Sequence, residues 1–175
     1  MMEVILWCKL KNTDLSCLSA KEAIEDMMGY TDLLSLNRLT QWKLISDQPI
    51  PPEKIETILK ESFYLANPNK TFVYPNHIPG HPTVTGQYVA VRIWDVGLSE
   101  HQLTGTINQR FQTQITSIRQ STVWEMGISP HIQNPAEWAL DRIVSTRSYR
   151  HGLLMHPLYQ QYEWIEAKDI YATPI

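Results

Sequence analysis

Residues 35–44 read Ser-Leu-Asn-Arg-Leu-Thr-Gln-Trp-Lys-Leu, and residues 117–126 read Ser-Ile-Arg-Gln-Ser-Thr-Val-Trp-Glu-Met. Ser35, Thr40 and Trp42 recur as Ser117, Thr122 and Trp124, each 82 residues on, and Leu36 and Leu44 fall on Ile118 and Met126 without a gap. A fixed internal period decides an architecture before any single element is read. Here it says that the chain is one small unit used twice.

The flanks repeat as well. Strand-like runs at 4–11 and 88–96 precede the two phrases, and each is followed by a capping-box spacing, Ser19 with Glu22 and Ser99 with Gln102. Ala20, Ala23, Ile24, Met27 and Met28 form an apolar helical stripe, matched more sparsely by Leu103, Ile107 and Phe111 around Gly105. After each phrase a second helix starts with proline in its first turn, at Pro51-Pro52-Glu53 and at Asn134-Pro135-Ala136, with Asn134 as N-cap. Their stripes are Ile55, Ile58, Leu59 and Phe63, and Ala136, Ala139, Leu140, Ile143 and Val144. The helices close in Leu65-Ala66-Asn67-Pro68 and Leu154-Met155-His156-Pro157, each followed by an aromatic strand-like run.

The stretch 75–82, rich in Pro, Gly and His, carries no periodicity and separates the halves. The expected units are therefore 1–76 and 88–175, with 77–87 as linker. Each reads strand, helix, strand, strand, helix, strand, the ferredoxin-like βαββαβ order of an α+β fold. Leu6, Trp7, Cys8, Val91, Ile93 and Trp94 are apolar on both sides of their strands. The expected remedy is two antiparallel sheets packed face to face as a pseudo-dimer.

Composition narrows the function. The chain has 175 residues, 43% of them hydrophobic and 19% charged, with a net charge of −3 and no basic run. That argues against a nucleic-acid partner. No apolar stretch approaches the ~20 residues of a membrane span, and no signal-peptide pattern opens the chain, so the expectation is a cytoplasmic protein. Cys8 and Cys17 form no C-x-x-C pair. His77 and His81 are four apart, but Pro79 and Gly80 between them deny a shared helical face, so they read as linker histidines and no metal is expected. His151 and His156 read as helix-end residues. No Gly-x-Ser-x-Gly elbow or phosphate-cradling glycine loop occurs, so no catalytic residue and no cofactor is assigned. Trp42 and Trp124 read as packing aromatics.

With these phrases in place, the chain resembles the PurS family, the non-catalytic subunit of formylglycinamide ribonucleotide amidotransferase, in a tandem, fused form. The resemblance rests on Lys9-Leu10-Lys11, on Met28-Gly29-Tyr30 before Thr31-Asp32-Leu33-Leu34, and on Leu65-Ala66-Asn67-Pro68. In the second half His151-Gly152-Leu153-Leu154-Met155-His156-Pro157 resembles the closing phrase, with His156 in place of Asn. The family's Arg-x-Gly-Lys hairpin falls on Asn37-Arg38-Leu39-Thr40 and Arg119-Gln120-Ser121-Thr122, where only Arg119 keeps its position and Gly-Lys is absent.

The resemblance implies a bridging subunit in purine biosynthesis whose partners are a glutaminase and an ATP-using synthetase, with Arg119, Asn67 and His156 as partner-binding residues and a homodimer as a possible further assembly. The alternative reading is a regulatory module that binds a small ligand between paired ferredoxin-like units.

Overall fold

The computed structural model describes residues 1–97 and 100–173. The protein is α+β, with β1 (Met2–Leu10), α1 (Leu15–Glu22), β2 (Leu33–Ser46), α2 (Pro52–Glu61), β3 (Thr71–Pro75), β4 (Gln87–Asp95), α3 (His101–Phe111), β5 (Ile115–Ile128), α4 (Pro135–Ala139), β6 (Gln160–Ile165) and α5 (Ala167–Ile170). All six strands form one antiparallel sheet in the order β3-β1-β2-β5-β4-β6.

Two expectations are corrected. No hairpin exists at 37–40 or 119–122, because β2 and β5 each run straight through as strands of 14 residues. The sequence supplies the reason. Neither tetrapeptide contains the glycine that favours a tight hairpin turn. Nor do two sheets stack face to face. They join edge to edge, through β2 paired with β5 along almost their whole length.

The repeat is written into that pairing. Thr40 lies opposite Thr122, 82 residues later, so the residue and its counterpart meet on a pseudo-two-fold axis. Around it Leu6 pairs with Trp42 as Val91 pairs with Trp124, which makes β1 the counterpart of β4. Pro75 beside Leu6 then matches Trp164 beside Val91. Each half is thus strand, helix, strand, helix, strand.

The long strands carry the chain across the axis. One core gathers Leu6, Cys8, Trp42 and Leu44 with Ile55 and Ile58 of α2, and adds Ile107 and Phe111 of α3 with Ile115 and Ile118 of β5. The other gathers Val89, Val91, Trp124 and Met126 with Ala139 and Ile143, and adds Cys17, Ile24, Leu33 and Leu36 from the first half. Each lobe therefore contains a helix and half a strand lent by the other.

The sheet's second face has its own core, Trp7, Leu39, Ala90 and Val123 under Ile78, Ile170 and Tyr171. It is covered by the linker and by α5 with the residues after it, rather than by a second sheet. Ile78 N–H donates to Ile170 C=O at 2.8 Å, and Ala172 N–H donates to Ile78 C=O at 3.0 Å. Gly127 permits the linker to cross here, since a Cβ on it would stand 2.0 Å from the Thr85 oxygen.

Local differences follow from packing. Helix α1 starts at Asp14, whose carboxylate accepts from Cys17 N–H at 3.1 Å, so Ser19 lies inside the helix instead of capping it. Ser99 lies outside the described residues, and Glu100 occupies the N-cap position of α3. Helix α1 runs on into a π-helical turn, Ala23–Met27, whose larger number of residues per turn shifts the α-helical stripe, and Met27 is 79% exposed while Ile24 stays fully buried. Helix α4 likewise continues through Leu140–Val144, and Asn134 stands at its start without a side-chain cap bond. Phe63 falls beyond the end of α2 and is exposed, and Leu65 takes the core position.

Candidate functional site

Two crevices flank the pseudo-two-fold axis, one where the end of β1 leaves β2 and one where the end of β4 leaves β5. Cys8, Leu10, Arg38, Thr40, Leu65 and Thr71 line the first, of about 150 Å³. Their repeat counterparts Ile93, Asp95, Gln120, Thr122, Leu154 and Gln160 line the second, of about 950 Å³. The sites are equivalent in backbone and unequal in content.

Arg38 closes the smaller. Its Nε donates to Asp14 Oδ2 at 2.7 Å and its Nη2 to Asp14 Oδ1 at 3.0 Å, a two-pronged pair, while the guanidinium carbon sits 5.8 Å from the centre of the Trp124 ring. Gln120, the counterpart of Arg38, is shorter, neutral and exposed, and both residues border both crevices.

The larger crevice has polar walls reached from both sheet faces. Arg92 donates through Nη1 to Gln41 Oε1 at 3.1 Å, pairs with Glu163, and lies over Trp94. Gln160 Nε2 donates to Asp95 Oδ1 at 2.8 Å. Arg119 lies in the same lining, exposed, with no ion pair among the described residues. Its register partner Lys43 pairs with Glu3 at 2.6 Å.

Of the other two sequence-derived residues, His156 comes near this crevice and Asn67 does not line it. His156 stacks on Tyr159 with centroids 4.0 Å apart, and its N–H donates to Gln160 Oε1 at 2.8 Å. Asn67 builds the turn before β3, its Oδ1 accepting from Asn69 N–H at 3.0 Å. Leu65 and Ala66, just before it, line the smaller crevice.

Three arrangements were not legible in sequence. Glu125 is 1% exposed, and takes hydrogen bonds from the Tyr88 hydroxyl at 3.0 Å and from the Tyr171 hydroxyl at 2.9 and 3.0 Å. Burial raises its pKa above the ordinary carboxylate range, although both tyrosines pull the other way. The second arrangement joins Asp32, His131 and Ser129: His131 Nε2 is 3.1 Å from Asp32 Oδ1 and its Nδ1 is 2.7 Å from Ser129 Oγ. A nucleophile needs a pocket and oxyanion donors beside it, and neither crevice includes Ser129. The three side chains instead tie the turn before β2 to the turn after β5, where Ser129 N–H donates to Asp32 C=O at 2.9 Å.

The third is the pair of thiols. Burial pushes Cys8 up to about 12 and Cys17, with help from Asp14, up to about 11, so neither is a thiolate at neutral pH. Cys17 donates to Leu36 C=O at 3.1 Å. Among the described residues no group of three or more His, Cys, Asp or Glu is placed to hold a metal ion, and no helix is long and apolar enough to cross a membrane.

No protein-family model matches the chain, and no curated protein or solved structure matches it.

Proposed function

We propose that the chain is a cytoplasmic, non-catalytic assembly subunit resembling a fused pair of PurS units, which bridges a glutaminase and an ATP-using synthetase in the conversion of formylglycinamide ribonucleotide to the amidine. We infer with it that each lobe is a ferredoxin-like unit completed by exchange. In the first lobe β3, β1, the second half of β2 and the first half of β5 stand in the order of such a sheet, with α2 and α3 packed on it.

The single observation that carries the reading is the doubled closing phrase, which brings Leu65 and Leu154 to the two symmetry-related crevices beside the axis. A bridging subunit needs two related surfaces on a rigid frame and no reacting groups of its own.

The test is reconstitution with glutaminase and synthetase subunits. The chain alone turns over neither ATP nor glutamine, and it enters a complex at micromolar concentration that couples ammonia release to its use. Failure to bind either partner at that concentration overturns the reading. The 950 Å³ crevice favours a second reading, a ligand-binding regulatory module. A rise in melting temperature with an amino acid or nucleotide, in the absence of any partner, selects it.

A further inference from the structure

We propose that the open edge of β5 in the larger crevice receives an extended, acid-bearing segment of a partner protein as an added strand. The inference rests on the assembly reading and specifies the surface and chemistry that such an assembly would use.

The register of β4 on β5 begins at Gln87 with Ile128 and stops at Ile93 with Thr122. Trp94 and Asp95 pair only with Gln161 and Gln160 of β6. Residues 117–121 of β5 are therefore paired on the β2 side alone. The edge is finished at Ile115, where Asn108 both accepts from its N–H at 2.9 Å and donates to its C=O at 2.8 Å. Residues 117–121 span about 13 Å of strand with no strand neighbour on that side among the described residues, facing a crevice of about 950 Å³. Such an edge is a template for strand addition, in which main-chain bonds give affinity and alternate side chains give specificity.

Charge selects the occupant. A segment continuing the line of β4 would run antiparallel to β5 and set one side chain directly across from Arg119. That arginine already has Lys43 opposite it on the β2 side, and Lys43 is engaged by Glu3. A carboxylate at the new position forms a paired, partly shielded contact, and a lysine there meets a second like charge. On the other sheet face the segment meets buried Ile118 and exposed Gln120, which suit small side chains. The symmetry-related crevice offers no such room, since Arg38 and Asp14 fill it.

The probe is a displayed library of random seven-residue peptides selected against the full-length chain, with Arg119→Glu as a parallel target. Enriched peptides are expected to carry Asp or Glu at one fixed position and to bind Arg119→Glu about tenfold more weakly. N-methylation of alternate amides in the best peptide should abolish its binding, because the ladder bonds are lost. Arg119 is exposed, so the variant keeps the wild-type melting temperature and circular dichroism. The proposal is overturned if no pool enriches, if the selected peptides bind Arg119→Glu equally well, or if the N-methylated peptide binds unchanged. A glutaminase or synthetase that assembles normally on Arg119→Glu and is not displaced by the peptide overturns this surface while leaving the assembly reading intact.

Discussion

The two crevices are the same place in the repeat, and one is about 150 Å³ while the other is about 950 Å³. Backbone duplication fixed their position, and a few side chains decided their contents. In the first half Arg38 reaches the N-cap carboxylate of α1 in a two-pronged pair, whereas Gln120 makes no comparable side-chain bond among the described residues. The open face shows a similar divergence at Lys43 and Glu125, which are also 82 residues apart. Lys43 stays half-exposed, and Glu125 is buried beside Tyr171. A duplicated frame can hold one copy for stability and free the other for binding.

The largest expected effect comes from the paired tryptophans. Trp42→Ala and Trp124→Ala should each cost about 3–5 kcal/mol, measured by urea denaturation, because each empties a large buried volume. Trp42→Ala should cost more, since its Nε1 also donates to Leu65 C=O at 2.8 Å. An equal or reversed order would mean that the sealed side is not the tighter one.

Arg38→Gln makes the first crevice chemically like the second. The expected loss is about 1–3 kcal/mol, since the half-buried Asp14 carboxylate loses a two-pronged partner. The reciprocal Gln120→Arg should change stability little, and a matching gain would reveal a carboxylate partner for it.

Glu125 gives the pH dependence. Its folded pKa is raised by burial, so its stabilising contribution is full below the ordinary carboxylate range and is lost as pH rises through the raised value. Glu125→Gln should remove that loss, leaving a variant whose stability is flatter than wild type's across a pH series of thermal melts. A wild type that grows more stable over the same rise would contradict the raised pKa of the buried carboxyl. Arg119→Ala should be the mildest, within about 0.5 kcal/mol of wild type, because the side chain is exposed.

Much of this frame is legible in the sequence. The offset of Ser35, Thr40 and Trp42 from Ser117, Thr122 and Trp124 marks the axis itself, and α2 and α4 start at the prolines Pro52 and Pro135. The hairpin does not form because both tetrapeptides lack the glycine of the family pattern, and β2 and β5 run through them as continuous strands. The cover on the second sheet face left no periodic signal, for α5 has only four residues. Arg119 was visible as a matched position. The crevice around it was not, since it arises where β4 turns from β5 toward β6, a choice of partner that no local sequence encodes.

The long strands carry each half into the other's core across Thr40 and Thr122. Sedimentation equilibrium on residues 1–76 expressed alone tests it most directly. Without β5 to pair with, the first half should associate through its own β2, and the expected result is a folded dimer with Thr40 facing its copy. A soluble monomer that unfolds cooperatively would contradict it, because such a unit would have to close its core with the hairpin that the exchanged strands replace.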